Sequence, residues 1–249
     1  MKPYFCRIGG KGRLLSKITP FLPDEMEVYC EPFIGGGAVF LSKDKWANIE
    51  VINDIDRDIY DLWNDISTVS QEAVNSMDWY NDTDKSIHFI NTPPPTDPIE
   101  RFYRNMYISV TTFGGNRKSP SVSKGNRNLY TGTAFRNIDK YHKRLDDVII
   151  RNQDYTEIIE EFDSPNTFFY LDPPYSKMNK SWGYTSLISN KNLLEQLRNI
   201  KGLFCMSYDF SEHNMELFDE FNIEIFDNTY SINSFDSRKK AREIIIMNY

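Results

Sequence analysis

The residues best suited to chemistry lie at 168–175, where an apolar run, Phe168-Phe169-Tyr170-Leu171, passes directly into Asp172-Pro173-Pro174-Tyr175. Two consecutive prolines fix the backbone in an extended turn and remove two N–H donors. What remains is a rigid set of acceptors, the Asp172 carboxylate and the nearby carbonyls, beside one aromatic face, Tyr175. Such a set suits an exocyclic amino group on a flat base. The carboxylate and the Pro173 carbonyl can take the two amino hydrogens while the ring stacks on the base. Drawing those hydrogens out of the base plane localises the nitrogen lone pair toward a methyl donor. No cysteine stands in a Pro-Cys dipeptide, which counts against chemistry at a ring carbon, where a thiolate nucleophile is needed. A proline-stiffened turn without chemistry is the plainer alternative, and the glycine turn upstream weighs against it.

That upstream segment, Val28 to Phe40, reads as strand, glycine turn and helix, with Phe33 just ahead of Gly35, Gly36 and Gly37. Three glycines permit positive φ and close approach of the backbone to a ligand. The start of the following helix would add unpaired N–H groups. In doubly wound sheets such a turn lies at the carboxyl end of the first strand, where cofactors bind. The spacing is neither a G-x-G-x-x-G dinucleotide motif nor a phosphate-binding loop with Lys-Ser/Thr after the glycines. Asp54 lies at the end of the next strand, about 20 residues past the turn, a position suited to accepting ribose hydroxyls. Asp56 is read as the cap of the helix that follows. Asp154, at another strand end, can either accept from an exocyclic adenine amine or cap a helix starting near Tyr155. Three acids at three successive carboxyl ends would line one crevice.

The elements needed to hold these residues are legible as periodicity. Apolar runs predict strands at 27–30, 48–52, 147–151, 167–171, 203–207, 222–226 and 243–247. Helical patterns fall at 12–22, 36–44, 56–68, 155–162, 190–199 and 211–219. This alternation predicts an α/β fold with a mainly parallel, doubly wound sheet. It stops between about 70 and 133, where a helix over 98–112 is flanked by Pro93-Pro94-Pro95 and by a basic stretch from Gly114 to Gly132. Residues 70–133 are therefore expected to be an insertion outside the sheet, with 1–69 and 134–249 forming the body.

Charge follows the same division. The net charge is -7, which taken alone argues against a polyanionic partner. The bases are segregated, however: Lys2, Arg7, Lys11, Arg13 and Lys17 near the start, Arg117 to Arg144, and Arg238 to Arg242. A cationic surface on an acidic body is compatible with nucleic acid. A chain 40% hydrophobic can build a real core, which excludes a disordered one. No apolar run is long enough to span a membrane, and Met1 to Gly10 lacks the apolar stretch of a signal peptide. Cys6, Cys30 and Cys205 form no CxxC pair. They are read as ordinary buried thiols in a reducing cytoplasm, bacterial or, for a phage-encoded chain, that of the host. His88, His142 and His213 have no metal-ligand spacing, and no metal is expected.

Together the motifs resemble the Dam-type, N6-adenine-specific DNA methyltransferases of the α motif order, in which the cofactor motif precedes the target-recognition insert and the catalytic tetrapeptide comes last. The resemblance covers nearly the whole chain. Ile8-Gly9-Gly10-Lys11 is similar to the family's N-terminal motif, Glu31 to Phe40 to its methionine-binding turn and Asn53-Asp54-Ile55 to its ribose motif. Asn152-Gln153-Asp154-Tyr155 is similar to its adenine-side motif, and Asp172-Pro173-Pro174-Tyr175 to its catalytic motif. The resemblance implies the methyltransferase variant of the doubly wound sheet, with S-adenosylmethionine as cofactor. Lys11, Phe33, Gly35, Gly36, Gly37, Asp54, Asp154, Tyr155 and Asp172 are then the cofactor-binding candidates, and Asp172, Pro173, Pro174 and Tyr175 the catalytic ones. The expected partner is double-stranded DNA, with the target base flipped out. Arg117, Lys118, Lys124 and Arg127 in the insert are the DNA-binding candidates, with Arg117 and Arg127 suited to reading guanine edges. A monomer or weak dimer is expected, and host marking, restriction protection and phage self-defence stay open as its setting. N4-cytosine methylation and a non-catalytic DNA-binding module on the same scaffold remain as alternatives.

Overall fold

Burial along the strands settles the layering. In β1 (Val28–Glu31) Tyr29 packs into one layer and Cys30 into the other. In β4 (Thr167–Leu171) all five residues are buried, Phe168 and Tyr170 on the first side, Phe169 and Leu171 on the second. A strand apolar on both faces belongs in the middle of a sheet covered on both sides. The computed structural model describes residues 1–120, 137–175, 188–229 and 240–249. Within them β1, β2 (Ile49–Asn53), β3 (Ile149–Arg151), β4 and β5 (Leu203–Asp209) pair in parallel. β7 (Lys240–Met247) runs antiparallel to β5 and carries β6 (Asn222–Thr229) on its far side. The order is β3-β2-β1-β4-β5-β7-β6. The direction of winding reverses between β1 and β4, and the crevice at their carboxyl ends is where an open α/β sheet binds ligands.

Helices cover both faces. α2 (Arg57–Ile66), α5 (Pro98–Thr111) and α6 (Ile138–Leu145) bury Leu62, Trp63, Phe102, Met106 and Tyr141 in the first layer. α7 (Tyr155–Phe162), α8 (Asn190–Asn199) and α9 (Glu212–Leu217) pack Ile158, Leu193, Leu197 and Met215 into the second. Side-chain caps start them where expected. Asp56 accepts from the Asp58 N–H, Asp97 from those of Ile99 and Glu100, and Asp154 from that of Thr156.

Two expected helices are cut short. The segment 36–44 keeps only a 3-10 turn, Phe40–Ser42. Its carbonyls are claimed by tertiary donors: Phe40 O accepts from Trp46 Nε1 at 3.1 Å and from Arg144 Nη2 at 3.0 Å, and Leu41 O from the chain's amino terminus. The segment 12–22 splits into a 3-10 turn at Lys11–Arg13, α1 (Leu15–Ile18) and a second 3-10 turn at Thr19–Phe21 that contains Pro20, a residue without the N–H that would continue a helix.

The described part of the segment expected to be an insertion, 70–120, adds α3 (Gln71–Ser76), α4 (Thr83–Asn91) and α5 but no strand to the sheet. It is continuous with the body. Phe102, Met106 and Tyr107 are buried in the same layer as Trp63, and Arg101 grips Asp65 of α2 through Nε at 3.0 Å and Nη2 at 2.5 Å. On the other side of that layer Arg144 makes a buried, two-pronged pair with Glu50, 2.8 Å on each prong. This pair fixes α6 to β2. Among the described residues no helix is long and apolar enough to cross a membrane.

Candidate active site

The carboxyl ends of β1, β2 and β3 are stitched together by one amide. Asn53 donates from Nδ2 to Pro32 O at 2.9 Å and to Gln153 O at 3.0 Å, and its Oδ1 accepts from the Gln153 N–H at 2.9 Å. Asn152 adds a bond from Nδ2 to Asp54 O at 2.7 Å. Three loops that diverge in sequence are thereby held at one edge. Asp54 closes the glycine turn onto it: Oδ2 accepts from the Gly35 N–H at 3.0 Å and Oδ1 from that of Asp56 at 2.9 Å. Burial pushes the Asp54 carboxyl up to about 6, against the pull of Arg7, which pairs with Asp56 at 2.7 Å.

The turn itself needs its glycines. Gly35 and Gly37 have φ of 46° and 66°, the left-handed region that a side chain disfavours. Trp63 lies under the turn, donating from Nε1 to Gly35 O at 2.9 Å. Residues 3–7 lie over it, with Phe5 O and the Arg7 side chain facing Gly36. The turn is not followed by an α-helix, so the expected fan of helix N–H groups is not what it offers.

At the end of β4, Asp172 Oδ1 accepts from Lys11 Nζ at 2.6 Å and from Ser207 Oγ at 3.2 Å. Both partners use one oxygen, which among the described residues leaves Oδ2 for an incoming donor. Lys11 is 5% exposed, donates also to Gly9 O, and sits 4.9 Å from the centre of the Tyr175 ring. Burial lowers the pKa of the ammonium, and the Asp172 carboxylate outweighs burial, so the net shift is upward. Burial raises the Asp172 carboxyl, and Lys11 limits that rise. Pro173 is buried, while Pro174 and Tyr175 are half-buried at the lip. The Tyr175 ring meets Tyr208 edge-on at 5.5 Å, and its hydroxyl donates to Glu243 Oε2 at 3.3 Å. A negatively charged acceptor, a carbonyl-rich turn and an aromatic ring thus converge, which is an arrangement for holding an amine.

The remaining candidates divide. Phe33 and Tyr155 come together, ring centres 5.2 Å apart, beside the Asn53 knot. Asp154 is exposed and commits Oδ1 to the Thr156 N–H and hydroxyl; its capping role is the one the structure displays. Arg117 departs from the expectation of a base-reading surface arginine. Its Nη2 pairs with Asp58 at 2.6 Å and with Asn105 Oδ1 at 2.9 Å, and its side chain is 10% exposed. Its backbone lies in the left-handed region, with a φ of 60°. Lys118, next to it, is exposed. Lys124 and Arg127 lie outside the described residues. Cys30 and Cys205 are buried, and burial pushes the Cys205 thiol up to about 12, whereas Cys6 is exposed rather than buried as expected.

Sequence reasoning passed over Glu31, Asn53, Gln153, Ser207 and Glu243 as site residues. The signal available was a polar residue inside or at the end of an apolar strand, which a folded protein keeps only with a partner. Gln153 Oε1 is buried with no hydrogen-bond partner among the described residues, an acceptor suited to an exocyclic amine. Glu31 is 2% exposed and accepts a hydrogen bond from the Tyr29 hydroxyl; burial pushes its carboxyl up to about 8. Acids clustered at this edge, two strained glycines, an aromatic pair and an unpaired acceptor fit a ligand that carries cationic groups, ribose hydroxyls and an adenine.

Glu31 also sets a pH dependence. Its folded value, about 8, lies above the ordinary 4.5. Between those values the folded chain binds more protons than the unfolded chain. The contribution of Glu31 to the stability of the cofactor-free protein is therefore fully present below the lower value and is lost as pH rises through the upper one. Thermal midpoints taken across that window should decline, and Glu31→Gln should flatten the decline. An equal slope in the variant would assign the effect to another group.

The family model described as D12 class N6 adenine-specific DNA methyltransferase matches residues 8–244. The chain is 26% identical to the type II methyltransferase M.MjaIII of Methanocaldococcus jannaschii, over 100% of this chain and 99% of that one. It is 26% identical to the type II methyltransferase M.CviBI of Paramecium bursaria Chlorella virus NC1A, over 75% of this chain and 74% of that one. It is 27% identical to the DNA adenine methylase of Haemophilus influenzae, over 81% of this chain and 73% of that one. Methyl transfer by this family uses S-adenosylmethionine, and the residues at the sheet's carboxyl edge fit it. The protein belongs to the D12 class of N6 adenine-specific DNA methyltransferases.

Proposed function

We propose that the carboxyl edge of the sheet brings the methyl donor and a flipped adenine together, and that the observation carrying this is the Asp172 carboxylate, anchored through Oδ1 with Oδ2 turned to a donor beside Tyr175. S-adenosylmethionine supplies the methyl group. Gly35, Gly36, Gly37 and Lys11 border its methionine end, Asp54 takes its ribose hydroxyls, and Phe33, Tyr155 and the Gln153–Asp154 pair hold its adenine. The target adenine leaves the duplex because its amine is paired inside it. Asp172 and the Pro173 carbonyl take the two N6 hydrogens, Pro174 stiffens the turn, and Tyr175 stacks on the base. The nitrogen lone pair then faces the methyl group, and one N6 proton leaves by way of Asp172. The rate comes from positioning and from fixed acceptors.

Double-stranded DNA is the substrate form this requires. The segment 70–133 delivers it, with 1–69 and 134–249 as the catalytic body. Lys118, Lys124 and Arg127 serve as phosphate or base contacts, while Arg117 anchors the base of that segment to α2. The enzyme acts in a bacterial or host cytoplasm as a monomer or weak dimer. Expression in a methylation-free host followed by long-read sequencing would give the recognition site, and nucleoside mass spectrometry should find N6-methyladenine. With 2-aminopurine at the target position of that duplex, fluorescence should rise on binding. N4-methylcytosine as the product, or no rise in fluorescence in either the wild type or Tyr175→Ala, would overturn the reading.

A further inference from the structure

Glu243 is 3% exposed in β7, the strand that pairs antiparallel with β5. A carboxylate in the run Glu243-Ile244-Ile245-Ile246-Met247 is costly unless it is partnered. Its register opposite Asp209 of β5 brings it to the Tyr175 hydroxyl, which donates to Oε2 at 3.3 Å. Tyr175 is bounded on its other sides by Tyr208, edge-on at 5.5 Å, and by the Lys11 ammonium, 4.9 Å from its centre. Tyr208 is itself fixed, donating to Asn190 Oδ1 at 2.9 Å and meeting the Phe218 ring at 5.8 Å. The ring at the lip of the crevice is thus held at its edge, on its face and at its hydroxyl.

We propose that Glu243 is a positioning residue for methyl transfer: by accepting the Tyr175 hydroxyl it sets the plane of the ring on which the target base stacks. A tyrosine at the lip has two soft torsions. Without a fixed hydroxyl the ring samples planes that do not match a base held by Asp172 and the Pro173 carbonyl. The contact selects one plane before the base arrives, which lowers the ordering cost at the moment of stacking.

This rests on the reading of Tyr175 as the stacking ring, and the test separates the two. Single-turnover rates and cofactor affinity are measured for Glu243→Ala, Glu243→Gln, Tyr175→Phe, Tyr175→Ala and the Glu243→Ala/Tyr175→Phe pair. Fluorescence of a 2-aminopurine target reports stacking in each. Glu243→Ala and Tyr175→Phe are each expected to slow transfer by about three- to tenfold, the size of one lost hydrogen bond, with cofactor affinity unchanged and weaker quenching of the flipped base. The double variant should be no slower than either single one, and Glu243→Gln, which still offers a carbonyl, should restore most of the rate. Should Glu243→Ala fail to fold, Tyr175→Phe removes the same bond from the other side, and a wild-type rate there overturns the proposal. Additive losses in the double variant overturn it as well, because Glu243 would then act apart from Tyr175. A wild-type rate in Tyr175→Ala would instead overturn the stacking role itself.

Discussion

Asp172→Ala is expected to slow methyl transfer by about two to three orders of magnitude, the loss typical of removing a fixed group that stabilises developing charge. The adenine N6 lone pair is spread into the ring, and the amine becomes nucleophilic only when its hydrogens are drawn toward acceptors and positive charge on the nitrogen is met by a carboxylate. Asp172 is the ionisable acceptor at the end of β4; burial raises its carboxyl, and Lys11 at 2.6 Å opposes that rise. Loss of the carboxylate also leaves Lys11, 5% exposed, without its closest counter-charge, and a buried charge stripped of its partner is destabilising. Asp172→Asn separates the two effects. It keeps an oxygen for Lys11 and the shape of the turn but gives up the charge. Both variants should be nearly inactive, Asp172→Asn should melt close to wild type, and both should retain most of the affinity for S-adenosylmethionine measured by calorimetry. A rate in Asp172→Asn within a few fold of wild type would remove the carboxylate's charge from the reaction.

The pieces of this site differ in how openly the sequence displays them. Asp172-Pro173-Pro174-Tyr175 could be read at once because prolines, a carboxylate and an aromatic ring are consecutive and follow an apolar strand. The seven strand periods could be read for the same local reason, and each appears within a few residues of its expected place. What stayed hidden is whatever depends on residues distant in the chain. Lys11 and Asp172 are 161 positions apart and Tyr175 and Glu243 are 68 apart; no window of sequence contains either pair. The expected helix at 36–44 is reduced to one turn where Trp46 and Arg144 take the Phe40 carbonyl, a competition that periodicity does not register. Arg117 looked like a surface cation because its neighbours are basic and polar, whereas the acid that claims it, Asp58, lies on α2. Local pattern fixed the strands and the tetrapeptide, and tertiary pairing decided which of the charged residues face the crevice.

Gly37→Ala should be strongly damaging, and Gly36→Ala, one residue earlier, should leave the fold nearly untouched. A Cβ on Gly37 would stand 2.5 Å from Cζ2 and 2.7 Å from Cη2 of Trp63, at a φ of +66°. The indole has nowhere to go. It is fully buried, bonded through Nε1 to Gly35 O at 2.9 Å, and packed edge-on against Phe5 and Phe40. The left-handed backbone costs about 1–2 kcal/mol for a residue with a side chain, and forcing a methyl into a filled core adds about 1–3 kcal/mol. For a chain of this size those sums correspond to a melting point lower by about 5–15 °C. The turn must also shift away from Trp63, which moves Gly35 and the Asp54 contact with it, so cofactor affinity should fall by about tenfold or more. A Cβ on Gly36 meets Phe5 O no closer than 3.6 Å, an ordinary contact, and needs no positive φ. Gly36→Ala is therefore expected to melt within about 2 °C of wild type, the scatter of a neutral substitution. Any loss of cofactor affinity in it reports how closely the turn approaches the ligand. Equal melting points for the two variants would show that the turn can open without Trp63, and the close packing of the glycine turn on that indole would then not be what holds the crevice in shape.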